Sequence, residues 1–180
     1  MPIKQLYTLL LCLGLLPGFA QTNWEQEIEA VLPQVLRTHR DFARLPNVAS
    51  QTADMKKNLD WVTKAFTARD FAVRLLPSST LPVFLAEKTI DPQAKTLLIY
   101  FHLDGQPADP ANWEQDNPFE PVLKAEQSPG KWTAIDWSSI DGDINPEWRV
   151  FGRATADDKA PIIMMLTALD LLQEQGLAPH

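Results

Sequence analysis

Two short segments hold the residues best suited to chemistry. His102-Leu103-Asp104 closes an apolar run, and Asp157-Asp158-Lys159 opens another. In an extended chain positions i and i+2 face the same side, so His102 and Asp104 would project together at a strand end, the edge where open α/β sheets bind ligands. An imidazole beside carboxylates is a donor set for a divalent cation, and a carboxylate behind the ring can fix its tautomer. Adjacent carboxylates such as Asp157 and Asp158 repel unless something positive offsets them. The start of the following helix offers part of that compensation, and Lys159 some more; a metal ion would account for both aspartates. Either segment alone also fits a local role, with strand-end hydrogen bonds for the first and helix capping by Asp158 for the second.

The elements that must position these groups are legible as periodicities. Trp24 to Arg40 reads as a helix with Ile28, Val31, Leu32, Val35 and Leu36 on one face, capped by Thr22 or Asn23 and interrupted by Pro33. His39, near Arg37 and Arg40, reads as part of a solvated helix end. Ala53 to Arg69 predicts a second helix with Met55, Leu59, Val62, Ala65 and Phe66 inward. Phe71 to Leu76 and Val83 to Glu87 predict strands. The nearly continuous apolar run Thr96 to Leu103 predicts a strand buried on both faces. A last helix is expected from about Ala160 to Gln175, with Pro161 in its first turn and Gly176 stopping it. Strands alternating with helices indicate an α/β domain, and 180 residues suit one domain with a real core.

Between the two segments, residues 105–150 change character. Six of the fifteen prolines and four of the six tryptophans fall there, which is too aromatic for a disordered stretch and predicts a long ordered excursion. The tryptophans read chiefly as packing anchors.

Several function classes are excluded or disfavoured. A formal charge of −7 without a Lys/Arg cluster argues against a nucleic-acid binder. There is no phosphate-binding glycine loop, and Ser138-Ser139 lacks a strand-to-helix nucleophile elbow. Residues 1–20 read as a signal peptide: Lys4, an apolar run from Leu6 to Leu16, and small residues before a cleavage point after Ala20. The run is short of the roughly 20 residues of a spanning helix, so no stable membrane span is expected after cleavage, and the protein is expected to be exported. Cleavage removes Cys12, the one cysteine. A metal site in the mature chain must then use His, Asp and Glu, which favours zinc or manganese.

Taken jointly, His102-Leu103-Asp104-Gly105-Gln106-Pro107, Trp113, Asn117-Pro118-Phe119-Glu120-Pro121 and Phe151-Gly152-Arg153-Ala154-Thr155-Ala156-Asp157-Asp158-Lys159-Ala160 resemble the M20 family of metallopeptidases, which includes carnosinase-like dipeptidases and related deacylases. The resemblance implies the N-terminal part of a zinc-peptidase-like catalytic domain over residues 21–180, with a mixed, largely parallel sheet and flanking helices. It implies a site for two zinc ions, with manganese or cobalt as alternatives. His102 would be a ligand of one metal and Asp157 the carboxylate bridging both. Asp104 would be the catalytic-site aspartate that holds His102, and the Asp157–Asp158 bond would be cis. The substrate would be a dipeptide or short peptide, and a full-length relative could be a homodimer.

There are departures. Ala154 and Ala160 stand where the family usually has glycine, and residues 125–147 look like an insertion that could serve as a substrate-facing flap. The family's general-base glutamate and remaining ligands lie beyond the helix ending near Gly176, so the chain reads as a fragment, inactive alone. Two other readings remain: a noncatalytic exported binding module using the tryptophan-rich excursion, and a glycosidase using Asp104 and Asp157, which leaves His102 without a role.

Overall fold

The computed structural model describes residues 23–177. The expected signal segment 1–20 and His180 lie outside them. Helix α1 spans Trp24–Ala43, α2 Thr52–Thr67 and α3 Lys159–Glu174; five strands lie between α2 and α3. Strands β1 (Ala72–Leu76) and β2 (Val83–Glu87) form an antiparallel pair in which Ala72 opposes Glu87. Strands β3 (Val122–Ser128), β4 (Lys131–Ala134) and β5 (Arg149–Phe151) form a second antiparallel sheet in the order β4-β3-β5. The α/β class expected from the sequence is what is observed. Parallel pairing among the described residues is confined to the isolated bridge between Val48 and Gly105.

The helices follow the local signals. The Asn23 side chain accepts from the Gln26 N–H and caps α1, supplying one acceptor for the orphan donors of the first turn. Pro33 is carried inside α1 without ending it. The inward face of α1 sits further along than its periodicity suggested. Ile28 is exposed, whereas His39, Phe42 and Ala43 are buried, because contact with α3 and the loop before it is made by the C-terminal turns. In α2, Met55, Asn58, Leu59, Val62 and Phe66 are buried. Helix α3 stops at Gly176, whose φ of +66° is left-handed, a conformation glycine adopts without side-chain cost.

The core joins all three helices. Phe42, Val62, Phe66, Ile162, Ile163 and Leu166 form its centre, with Phe84, Phe101 and Leu103 packed against it. Phe42 is fully buried and stacks on Trp61 with ring centroids 3.8 Å apart. Burying such a ring contributes about 1.5–3 kcal/mol, and a favourable aromatic pair adds about 0.5–1.5 kcal/mol.

The strand expected at Thr96–Leu103 needs correction. It has no ladder partner among the described residues, and Leu97, Leu98 and Tyr100 are each more than 80% exposed. Apolar continuity records the surroundings a segment is built for, but a strand also needs a hydrogen-bonded neighbour. Neither described sheet supplies one. The end of the run is nevertheless fixed, since Phe101 and Leu103 reach the core.

Residues 105–150 carry regular structure of their own. They fold back on themselves through β3, β4 and β5, and Trp132 packs on Phe151. Trp137 donates to the Pro121 carbonyl oxygen and lies under the Arg40 guanidinium. With the Arg37–Asp141 ion pair, these contacts fasten the Trp137–Asp141 turn to α1. No helix among the described residues is long and apolar enough to cross a membrane.

Candidate metal centre

The site begins with how residues 102–105 are held. The Gly105 N–H donates to the Asn47 carbonyl oxygen at 2.7 Å, and the Ala49 N–H donates to the Gly105 carbonyl oxygen at 3.1 Å. The buried Asn47 side chain donates to the Leu103 carbonyl oxygen at 2.9 Å. A Cβ at position 105 would stand 3.0 Å from Asn47 Oδ1, so the close approach favours glycine. Asn47 was not recognisable as a site-supporting residue; its sequence context signals only a turn after Pro46.

The second wall is the turn preceding α3. Ala154 is buried and has φ +64°, the left-handed region where glycine is favoured over alanine. This is the position where the resemblance expects glycine. The Thr155 hydroxyl donates to the Gly152 carbonyl oxygen at 2.8 Å. The Arg153 N–H donates to the Pro118 carbonyl oxygen, and its side chain to that of Gln106. The Asp157–Asp158 peptide bond is cis, as the resemblance implies.

These two walls bring His102 and Asp157 together. His102 Nε2 lies 2.7 Å from Asp157 Oδ1, and His102 Nδ1 lies 2.8 Å from the Asp104 carbonyl oxygen. Since a carbonyl oxygen only accepts, Nδ1 carries a proton, which leaves Nε2 as the atom available to a metal. The Asp104 carboxylate oxygen is 3.8 Å from Nδ1, so the ring is held by the backbone of Asp104 rather than by its side chain. Desolvation pulls the His102 pKa down. The hydrogen bonds to Asp104 and Asp157 and the charges of Asp158 and Asp157 outweigh it, and the pKa lies above the ordinary histidine value. With both ring nitrogens facing acceptors, the imidazolium is the form that satisfies this geometry.

Asp158 does not cap α3 with its side chain. Its Oδ2 instead accepts from the His102 backbone N–H at 2.9 Å, tying the start of the helix to the opposing segment. Each of His102, Asp157 and Asp158 offers a ligand atom, all within 4.8 Å of one another. Asp158 thus stands in the cluster beside Asp157, as a metal that accounts for both aspartates would require.

Lys159 does not compensate the aspartates. Its side chain is fully buried and its Nζ donates to the carbonyl oxygens of Phe42 at 2.8 Å and Leu45 at 2.6 Å. Burial pushes its pKa down to about 7. His39 also departs from its expected place. It is buried, and its Nε2 lies 2.7 Å from the Thr155 carbonyl oxygen. Its pKa is lowered chiefly by burial; the Thr155 bond opposes this and the Lys159 charge adds to it.

The donor chemistry accommodates a divalent ion. A tetrahedral zinc with both ligands at about 2.1 Å would separate their donor atoms by roughly 3.4 Å, against 2.7 Å here. The Asp157 side chain is 78% exposed, so it is free to open that distance by rotation. An apolar groove lies elsewhere, between α1, α2 and α3, and is lined by none of these three residues.

The fold and the sequence both find their likeness among dipeptidases. No protein-family model matches the chain. It is 29% identical to the Cys-Gly metallodipeptidase dug1 of Schizosaccharomyces pombe over 96 residues, 53% of this chain and 16% of that protein. Its fold is similar to that of the di-peptidase Dug1p from Saccharomyces cerevisiae (22% identity, TM-score 0.61, 84% of this chain and 30% of that one). It is also similar to human carnosine dipeptidase 1 (19% identity, TM-score 0.64, 85% of this chain and 31% of that one). The resemblance to M20 metallopeptidases read from the motifs is borne out in these relatives. The chain spans less than a third of the length of the solved dipeptidases it matches.

Proposed function

We propose that residues 21–180 are the N-terminal part of the catalytic domain of an exported metal-dependent peptidase of M20 type that hydrolyses dipeptides or short peptides. The observation that carries this is the 2.7 Å approach of His102 Nε2 to Asp157 Oδ1, with Asp158 in the same cluster, in a chain whose relatives are metallodipeptidases. Export rests on the signal-like run from Leu6 to Leu16.

In this reading His102 and Asp157 hold the metal, with zinc preferred and manganese or cobalt as alternatives. Asp157 would be the ligand shared by two ions, as the family resemblance implies, a part that a carboxylate with two oxygens can fill. A bound pair of metals would lower the pKa of a water and polarise the scissile carbonyl. The Asp104 carbonyl oxygen keeps the Nδ1 proton in place, so Nε2 is presented as a neutral donor once its own proton is lost. Asp158 locks the His102 backbone against the turn that carries Asp157. The general base, the remaining ligands and any dimer contact would come from sequence beyond this chain, and the chain alone would not turn over peptide.

The test is hydrolysis of a dipeptide panel by the whole protein. Activity should disappear on chelation, return with Zn²⁺ or Mn²⁺, and fall to background in His102→Ala and Asp157→Ala. Turnover that survives chelation would sink the metal reading. A deacylase of the same family would instead cleave N-acyl amino acids and leave dipeptides intact.

A further inference from the structure

We infer that His39, on α1, is a positioning residue for the metal centre, acting through the carbonyl of Thr155 on the turn that presents Asp157. This rests on the metal reading of His102 and Asp157. The residues form a continuous chain of contacts. His39 Nε2 lies 2.7 Å from the Thr155 carbonyl oxygen, and both residues are buried. An acceptor-only partner requires that Nε2 carry the proton and donate.

Thr155 is anchored through both its side chain and its backbone, with a longer contact from its hydroxyl to the Val150 carbonyl oxygen at 3.3 Å. Its hydroxyl is held by the Gly152 carbonyl oxygen at 2.8 Å and its own carbonyl by His39. Two residues later comes Asp157, whose carboxylate meets His102 and is otherwise mostly exposed. Among the described residues, His102 is the one side chain that holds the Asp157 carboxylate, so its placement depends on the backbone beneath. The C-terminal turns of α1 supply that support at two points: His39 at Thr155, and the Phe42 carbonyl at Lys159. The first is a single directional bond from a side chain, and therefore separable by mutation.

The experiment is Zn²⁺ binding to the purified full chain, by competition with a chromophoric chelator, with near-UV circular dichroism checking the fold of every variant. Glutamine places an amide N–H near the reach of imidazole Nε2. Asparagine is too short, and leucine fills the space without donating. His39→Leu and His39→Asn should weaken Zn²⁺ binding about tenfold or more, as loss of an outer hydrogen-bond partner typically does, and His39→Gln should stay within about threefold of the parent. If His39→Leu is not folded, the Asn and Gln pair makes the comparison. Unchanged binding in His39→Asn overturns the inference, as does an equal loss in His39→Gln, which would mean packing alone. The parent reading is scored separately by His102→Ala: if that variant binds Zn²⁺ as the parent does, the metal reading fails and this inference with it.

Discussion

Lys159 follows two aspartates directly, yet its ammonium donates to the Phe42 carbonyl oxygen at 2.8 Å and sits over the Phe42 ring. The charge nearest the aspartates in sequence is therefore spent on the end of α1. What faces Asp157 instead is His102. The cluster keeps a negative balance that a cation would offset.

Lys159 makes stability depend on alkaline pH. Its folded pKa is about 7 against an ordinary 10.5, so between those values the unfolded chain binds the extra proton. Stability then rises as pH increases from 7 toward 10. Urea midpoints measured at pH 7, 8 and 9 should climb for the parent, and Lys159→Met should flatten that slope. A parent slope that falls would contradict the assignment.

His39 gives the acid-side counterpart. Its folded pKa lies below the ordinary 6.5, so as pH drops through 6.5 the unfolded state takes the proton first and stability is lost. Thermal melts at pH 7.5 and 5.5 should show a smaller loss in His39→Gln, which cannot titrate. Equal losses in both proteins would place the acid sensitivity elsewhere.

Metal should act as a folding ligand. A ligand that binds only the native state stabilises by about 2.7 kcal/mol at 100 times its dissociation constant. Zn²⁺ should raise the melting temperature of the parent. His102→Ala and Asp157→Asn should both lose that increment. Asp157→Asn should keep its metal-free melting temperature near the parent's, since that side chain is 78% exposed, whereas His102→Ala, which removes a half-buried ring bonded to the Asp104 carbonyl, should start from a somewhat lower one. An undiminished increment in either variant would remove that residue from the ligand set.

Ala154 separates backbone strain from packing. A left-handed alanine costs roughly 1–2 kcal/mol, whereas a glycine replacement loses about 0.8 kcal/mol for the buried methyl and about 0.4–1 kcal/mol through a freer unfolded chain. Ala154→Gly should therefore fall within about 1 kcal/mol of the parent. Ala154→Val puts a β-branched side chain in the same left-handed, buried position and should destabilise by more than about 2 kcal/mol. Chemical denaturation of both variants gives the comparison.

The helices and the motif ends were legible because they rest on local rules. Asn23 capping, the Met55–Phe66 stripe and the Gly176 stop follow from spacing and residue type. The partners of Lys159 and His39 were not, because they lie 117 and 116 residues away in sequence. No periodicity encodes which carbonyl a buried donor will meet. The apolar run at Thr96–Leu103 misled for a related reason: its composition describes burial, but burial depends on neighbours the segment does not contain. At the site, the proximity of His102 to Asp157 was inferable only from the joint motif pattern. Neither the part played by the Asp104 backbone nor the reach of Asp158 to the His102 N–H could be read from side-chain chemistry.

The excursion between the two halves of the site ends where it begins. Val122 pairs with Phe151, and the Arg153 N–H closes on the Pro118 carbonyl oxygen. The 55-residue span from His102 to Asp157 is thus cinched near its base, and the β3–β4 hairpin hangs beyond that cinch with Gly130 at its tip. Lengthening a flexible loop costs only about 0.6 kcal/mol per doubling, and a Cβ at Gly130 would meet nothing within 4 Å. The hairpin tip is consequently a graft point: an epitope or fluorophore-bearing peptide spliced in beside Gly130 should leave Zn²⁺ affinity at the parent value. It would give this protein a handle for labelling without disturbing the residues that meet at His102.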